Sequence, residues 1–98
     1  MSLSELEIRV NEIISQLDRP VVKYKMIRKS MIGIKETFPE YPDILTMLGL
    51  LIEYREFGDD HIYKWMKMAI FDNYPMDRAR ATDKKGRVLN GFKQMRTL

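Results

Sequence analysis

The C-terminal segment, residues 77–98 with the sequence DRARATDKKGRVLNGFKQMRTL, is the part of the chain whose residue types most clearly suggest a chemistry. It contains seven lysine or arginine residues and two aspartates. Cations at this density neutralise phosphate or carboxylate groups, which is how many proteins hold nucleic acid irrespective of its sequence. The candidate contacts in this segment are Arg78, Arg80, Lys84, Lys85, Arg87, Lys93 and Arg96.

Charge is segregated along the chain, and the segregation suggests which cations have partners inside the protein. Net charge is −3 over residues 1–18, +6 over 19–35, −6 over 36–60, +1 over 61–76 and +5 over 77–98. We expect the basic block, 19–35, to pair with the acidic block, 36–60, inside the fold. That pairing leaves the C-terminal segment without an acidic partner and makes it the better candidate for an external contact.

Catalytic and metal-binding chemistry is not indicated. The chain has one histidine, His61, and no cysteine. Asp59 and Asp60 precede it, but adjacent carboxylates at the start of a helix are better explained as a cap and as partners of the helix dipole. A metal site would require a second ligand one turn further along, where the sequence has Trp65. The chain also lacks a glycine-rich phosphate-binding motif, so we expect no enzyme activity, no cofactor and no metal.

Length and composition indicate a single helical domain spanning residues 1–98. Hydrophobic residues make up 45% of the chain and charged residues 32%, which is typical of a globular protein and too apolar for a disordered one. The absence of cysteine excludes disulfides and fits a reducing, cytoplasmic environment. No apolar run is long enough to span a bilayer, and the acidic start MSLSELE lacks the apolar core of a signal peptide, so no membrane partner is expected.

Two amphipathic helices are predicted in the first part of the chain. In the first, over residues 2–18, Ser4 and Glu7 have the spacing of a capping box, which would start the helix at residue 5. The second helix is predicted to open at Pro20, because proline suits the first helical position. The apolar residues that recur at helical spacing are Leu3, Leu6, Val10, Ile13, Ile14 and Leu17 in the first helix, and Tyr24, Ile27, Met31, Ile34 and Phe38 in the second.

Two further helices are predicted after the double-proline break FPEYP. The third runs from a cap at Asp43 to about Phe57 and is apolar nearly all round, which is typical of the buried centre of a domain. The fourth covers residues 60–74. Its predicted inward positions are Ile62, Trp65, Met66, Ala69 and Ile70, and its outward positions are His61, Lys64, Lys67 and Met68.

The C-terminal segment admits more than one structure, including a hairpin turned by Asn90 and Gly91. The sequence DKKG at residues 83–86 is a strong turn signal, and RARAT before it and RVL after it favour a hairpin around 82–87 followed by a short final segment. Val88, Phe92 and Met95 also fit one face of a short helix. The fold class predicted is therefore mainly α: a compact four-helix domain with a basic C-terminal β-hairpin or short helix.

The stretches EYREFGDDHIYKWMKMA and RARATDKKGRVL carry a resemblance to a known family. The order of buried helix, tight turn, second helix and basic hairpin resembles winged helix-turn-helix DNA-binding domains over residues 43–95. The resemblance implies that the fourth helix enters the major groove while the wing contacts the phosphate backbone. It would assign groove contacts to His61, Lys64, Lys67 and Met68, and wing contacts to Arg80, Lys84, Lys85 and Arg87.

The first functional prediction is a non-catalytic nucleic-acid-binding protein, with DNA preferred to RNA, that uses the C-terminal segment as a phosphate clamp. It implies that changing Lys84, Lys85 and Arg87 together to Ala weakens binding with little loss of fold.

The alternative is a small helical adaptor or inhibitor that binds a partner protein, and self-association into a homo-oligomer stays open. Met68 and Phe71, together with Ile8 and Met26, would form its apolar patch. The basic tail would then dock on an acidic protein surface.

Overall fold

The computed structural model describes residues 2–71 and 81–97, and these residues are mainly helical, as predicted. They form five helices: α1 (Leu3–Leu17), α2 (Tyr24–Thr37), α3 (Pro42–Glu56), α4 (Asp60–Ile70) and α5 (Phe92–Thr97). The chain divides into two compact units, an N-terminal unit, Met1–Tyr41, and a C-terminal unit, Pro42–Leu98. That the whole chain is one domain stays a prediction.

In the N-terminal unit, α1 begins earlier than predicted because a different serine caps it. The Ser2 hydroxyl accepts a hydrogen bond from the Glu5 N–H group at 3.2 Å, so the helix starts at Leu3 and the predicted cap at Ser4 is wrong. The earlier start brings Leu3 into the helix in a half-buried position. The apolar stripe itself is confirmed, since Leu6, Val10, Ile13, Ile14 and Leu17 are all buried.

Helix α2 starts at Tyr24 rather than at Pro20, so the predicted start is wrong. Val21 and Val22 are β-branched and lose side-chain freedom in a helix, and Lys23 has the non-helical angles φ −92° and ψ 78°. The buried face is confirmed by Ile27, Met31, Ile34 and Phe38, which are at most 6% exposed. Helices α1 and α2 pack against each other through these apolar faces.

In the C-terminal unit, α3 has the buried central role that its composition predicts. Ile44, Met47, Leu48, Leu50, Leu51 and Ile52 are buried, and α3 packs against α4. The tight turn between them uses Gly58 at φ 77°, a conformation that favours glycine. Asp59 then caps α4, because its carboxylate accepts the Ile62 N–H group at 3.3 Å.

The inward face of α4 agrees with the prediction at Met66, Ala69 and Ile70 but differs at Ile62, at the half-buried Trp65 and at Tyr63, which was not predicted to face inward. Tyr63, Met66, Ala69 and Ile70 are buried, whereas Ile62, predicted to face inward, is 36% exposed. Residues 62, 66 and 69 lie on the same side of a helix, so rotation does not separate Ile62 from the buried face. Ile62 differs from Met66 and Ala69 in lying in the first turn of α4. Helix α4 ends at Ile70, so the predicted continuation through residue 71 is wrong. The rest of the predicted extension, residues 72–74, lies outside the described residues.

The C-terminal segment contains the short helix rather than the hairpin. Thr82 and Val88 form one isolated antiparallel bridge, and no strand occurs between residues 81 and 97, so the predicted hairpin is not supported. The Asp83 carboxylate accepts the N–H groups of Lys85 and Arg87, which ties them to a side chain in the turn. Gly86 completes this turn at φ 82°. Helix α5 follows, with the Phe92 side chain fully buried.

Candidate nucleic-acid interface

The buried carboxylate of Asp43 anchors the C-terminal segment to α3. Its side chain lies in the first turn of α3 and is 6% exposed. One oxygen, Oδ1, accepts Nη1 of Arg87 at 2.7 Å, and Oδ2 accepts the backbone N–H group of Asn90 at 2.9 Å. Asp43 was predicted to cap the helix, but the structure shows it binding residues more than forty positions away in sequence. Such long-range pairing carries no local sequence signal.

Asp83 holds Arg87 from the other side of the guanidinium group. Its Oδ1 accepts the N–H groups of Lys85 at 3.0 Å and of Arg87 at 2.9 Å, and its Oδ2 accepts Arg87 Nε at 3.2 Å. These bonds, the one from the Arg87 backbone most of all, lower the pKa of Asp83. Asp43 first, and Asp83 second, raise the pKa of Arg87 by hydrogen bonding to its charged form. Arg87 is therefore held between two carboxylates.

Lys84 also has an acidic partner within the C-terminal unit. Its Nζ lies 3.1 Å from Oε1 of Glu53 on α3, in a pair whose side chains are 75% and 37% exposed. The expectation that the C-terminal segment has no internal acidic partner is therefore wrong for Lys84 and Arg87. Charge summed along the chain cannot reveal that α3 lies beside this segment. Helix α3 supplies Asp43 from its first turn and Glu53 from near its C-terminal end.

The other cations of the C-terminal segment have varied surroundings. Lys85 and Lys93 are exposed and form no ion pair within the described part of the chain. The Arg96 guanidinium lies 5.9 Å from the centre of the Phe92 ring. Arg78 and Arg80 lie outside the described residues.

The outer face of α4 is placed as predicted. His61 and Lys64 are exposed, and the Met68 side chain is 37% exposed. Lys67 is half-buried, with its Nζ 5.3 Å from the centre of the Tyr63 ring. Lys64 is therefore the cation of this helix that is most accessible to a partner.

Phe71, predicted as an apolar anchor for a partner protein, already has a partner within the C-terminal unit. Its ring stacks on Phe92 with centroids 5.7 Å apart and an interplanar angle of 18°. This contact joins the end of α4 to α5. The other members of the predicted patch, Ile8 and Met26, are 60% and 61% exposed in the N-terminal unit.

The sequence analysis assigned the basic block, 19–35, to internal pairing and so did not propose the basic face of α2, which we define as Lys23, Lys25, Lys29 and Lys35, as a binding surface. All four side chains are exposed, and none forms an ion pair with a described residue of the N-terminal unit. Asp43 and Glu53 of the acidic block bind the C-terminal segment, and the expected pairing of the basic block with the acidic block stays a prediction. The signal was present: no acid lies three or four positions from Lys25 or Lys29, the spacing at which helical residues pair.

The described residues show neither a metal-ligand cluster nor a membrane-spanning helix. Within residues 2–71 and 81–97, no three histidine, aspartate or glutamate side chains gather closely enough to hold a metal ion. In the same residues, no helix has the length and apolarity needed to cross a bilayer.

Comparison with known proteins adds no family to these observations. The sequence matches no protein-family model, and no curated protein or solved structure matches it either. The charged surfaces described above are therefore the basis on which a function can be assigned.

Proposed function

We propose that this chain is a non-catalytic nucleic-acid-binding protein, with DNA preferred to RNA, that binds through the phosphate backbone. The supporting observation is that the C-terminal unit keeps exposed cations after its internal ion pairs have formed. Lys64, Lys85 and Lys93 are exposed and form no ion pair among the described residues. Phosphate neutralisation by such side chains supplies most of the non-specific affinity for nucleic acid.

In this proposal Arg87 positions the turn rather than binding phosphate itself. Asp43 and Asp83 hold its guanidinium group, which fixes the turn at residues 83–86 against α3. The turn then presents Lys85 to the phosphate backbone. Lys84 can exchange Glu53 for a phosphate at little cost, because an exposed ion pair contributes only about 0–1 kcal/mol.

The winged helix-turn-helix arrangement is proposed with one modification. The tight turn that carries Lys84 and Lys85 would take the place of a two-stranded wing, and α4 would be the helix that approaches the groove. Asp59 and Asp60 at the start of α4 repel phosphate, so we expect the approach to centre on Lys64 rather than on His61.

A binding assay with one variant tests the proposal. We expect the C-terminal variant, Lys64→Gln, Lys85→Gln and Lys93→Gln combined, to bind a labelled DNA duplex of mixed sequence more weakly than the parent. Its log–log salt slope should be shallower by about 0.9 for each phosphate that the variant no longer neutralises. Fluorescence anisotropy measures both quantities, and a variant that binds as tightly as the parent would contradict the proposed contacts.

The variant leaves Arg87 intact for a structural reason. The combined change of Lys84, Lys85 and Arg87 to Ala would also remove the bonds that Arg87 makes to Asp43 and Asp83. Weaker binding by that protein could then reflect a displaced turn. The side chains of the three substituted lysines of the C-terminal variant have no such internal bonds within the described residues.

The alternative function is binding of an acidic partner protein, supported by the exposure of Met68. The stacking of Phe71 on Phe92 removes one of the two anchors that this function would use on α4. Salt separates the two functions, because an apolar contact survives moderate salt whereas phosphate binding weakens steeply.

A further inference from the structure

The basic face of α2 lies on a helix whose opposite side is committed to the core. Ile27, Met31 and Ile34 are buried, which fixes the rotation of the helix and turns the lysines outward. From Lys25 to Lys35 the helix rises by about 15 Å, at about 1.5 Å per residue. Lys25 and Lys29 share the side opposite the core, and Lys35 lies further along the helix and about 80° around its axis from Lys25. The basic face therefore extends along a rigid helix without forming a straight row.

Lys25 and Lys29 are not placed to stabilise α2, whereas Lys35 lies in its last turn, where a cation interacts favourably with the helix dipole. The first turn of α2 has no acidic residue, and no side chain caps the helix at Lys23. Lys25 in that turn is repelled by the positive end of the helix dipole. Lys25 and Lys29 lie four positions apart on one face, where like charges destabilise a helix. The one acid of α2, Glu36, lies at its far end.

A duplex nucleic acid fits this surface better than other polyanions do. A duplex carries about one negative charge per 1.7 Å of axis with both strands counted, so the length from Lys25 to Lys35 corresponds to duplex carrying about nine charges. An anionic membrane would require an apolar face that can insert among the lipids. The apolar face of α2 is buried. The large apolar side chains that the helix exposes are Ile32 and Met26.

We propose that the basic face of α2 is the principal phosphate-binding surface of this protein and contacts duplex nucleic acid without reading its sequence. This inference rests on the proposed function, since both require nucleic acid as the partner. It assigns the larger share of affinity to the N-terminal unit, whereas the proposed function concerns contacts of the C-terminal unit.

The test compares two variants that each remove three positive charges. The α2 variant combines Lys25→Gln, Lys29→Gln and Lys35→Gln, and its partner is the C-terminal variant defined above. We expect the α2 variant to bind a mixed-sequence duplex at least about tenfold more weakly than the parent and the C-terminal variant to be weakened less. The charge-preserving variant Lys25→Arg, Lys29→Arg and Lys35→Arg should bind as the parent does.

A stability measurement excludes unfolding as the cause. The α2 variant removes the repulsion between Lys25 and Lys29 and also the favourable interaction of Lys35 with the helix dipole. Because these effects oppose each other and the three lysines make no ion pair within the N-terminal unit, we expect the α2 variant to unfold within a few degrees of the parent. Weaker duplex binding by a protein of unchanged stability would support the inference.

The remaining outcomes overturn one claim or both. If the parent binds the duplex and the α2 variant binds equally well, or is weakened no more than the C-terminal variant, the inference is wrong while the proposed function stands. If the parent does not bind the duplex at about 50 mM salt, both are wrong. Binding to anionic phospholipid vesicles in place of the duplex would identify a membrane surface as the partner and overturn both as well.

Discussion

At the scale of single residues, Asp43 is the side chain on which the C-terminal segment most depends. We expect Asp43→Ala to lower the free energy of unfolding by about 1–3 kcal/mol, because it removes the acceptor of the Asn90 N–H group and of Arg87. Urea denaturation followed by circular dichroism measures the loss. The matched control is Glu53→Ala, which breaks only the exposed pair with Lys84 and should cost less than about 1 kcal/mol. Equal losses in the two variants would contradict the anchoring role.

Asp83 should make stability depend on pH in the acid range. Because folding lowers the pKa of Asp83 below its ordinary value of 3.8, its ionised form stabilises the fold above that pH. The stabilisation is lost as the pH falls from 3.8 through the lower pKa of the folded state. We expect the parent to be more stable than Asp83→Asn near neutral pH and the difference to shrink in acid. Urea denaturation at about pH 6 and about pH 3 tests this, and a constant difference would contradict it.

Residue-level prediction from the sequence succeeded for the cap of α4 but not for that of α1, where Ser2 rather than Ser4 is the cap. The Asp59 side chain caps α4, as a carboxylate at a helix start should. Asp43 stands at a similar place in α3, yet its carboxylate binds Arg87 and Asn90. The two aspartates look alike in sequence, and only the position of the C-terminal segment distinguishes them.

At the scale of elements, two glycines in different backbone conformations should respond oppositely to alanine. Gly86 has φ 82°, where a side chain is strained, so Gly86→Ala should cost about 1–2 kcal/mol. Gly33 lies inside α2 with no atom within 4 Å of an added Cβ, so Gly33→Ala should stabilise by roughly 0.5–1 kcal/mol. Thermal unfolding measures both, and shifts of the same sign would show that the assigned conformations are wrong.

The helices could be predicted because their apolar residues recur at a regular period. The buried faces of α1 and α2 and the central burial of α3 follow from that pattern. The start of α2 could not be predicted in the same way, because Pro20 permits a helix that Val21 and Val22 then disfavour. The prediction of a hairpin is not supported, although the turn signal at residues 83–86 was correct. A turn does not require paired strands on either side of it, and one isolated bridge flanks this turn.

At the scale of the whole molecule, the net charge of each segment did not predict the partners of the C-terminal segment. The acidic block supplies Asp43 and Glu53 to that segment, and the lysines on the basic face of α2 have no acidic partner among the described residues of the N-terminal unit. Net charge per segment does not identify which segments meet. The candidate surface on α2 had a sequence signal of its own, since residues 19–35 contain no acid that could pair with Lys25 or Lys29 along the helix.

The salt dependence of duplex binding by the parent protein tests the central claim most directly, because the claim is that exposed lysines bind phosphate. Anisotropy of a labelled mixed-sequence duplex should give an affinity that falls steeply between about 50 and 200 mM salt. The slope of log affinity against log salt should correspond to several phosphate contacts, at about 0.9 per contact. No binding at about 50 mM salt, or an affinity that does not change with salt, would contradict the claim.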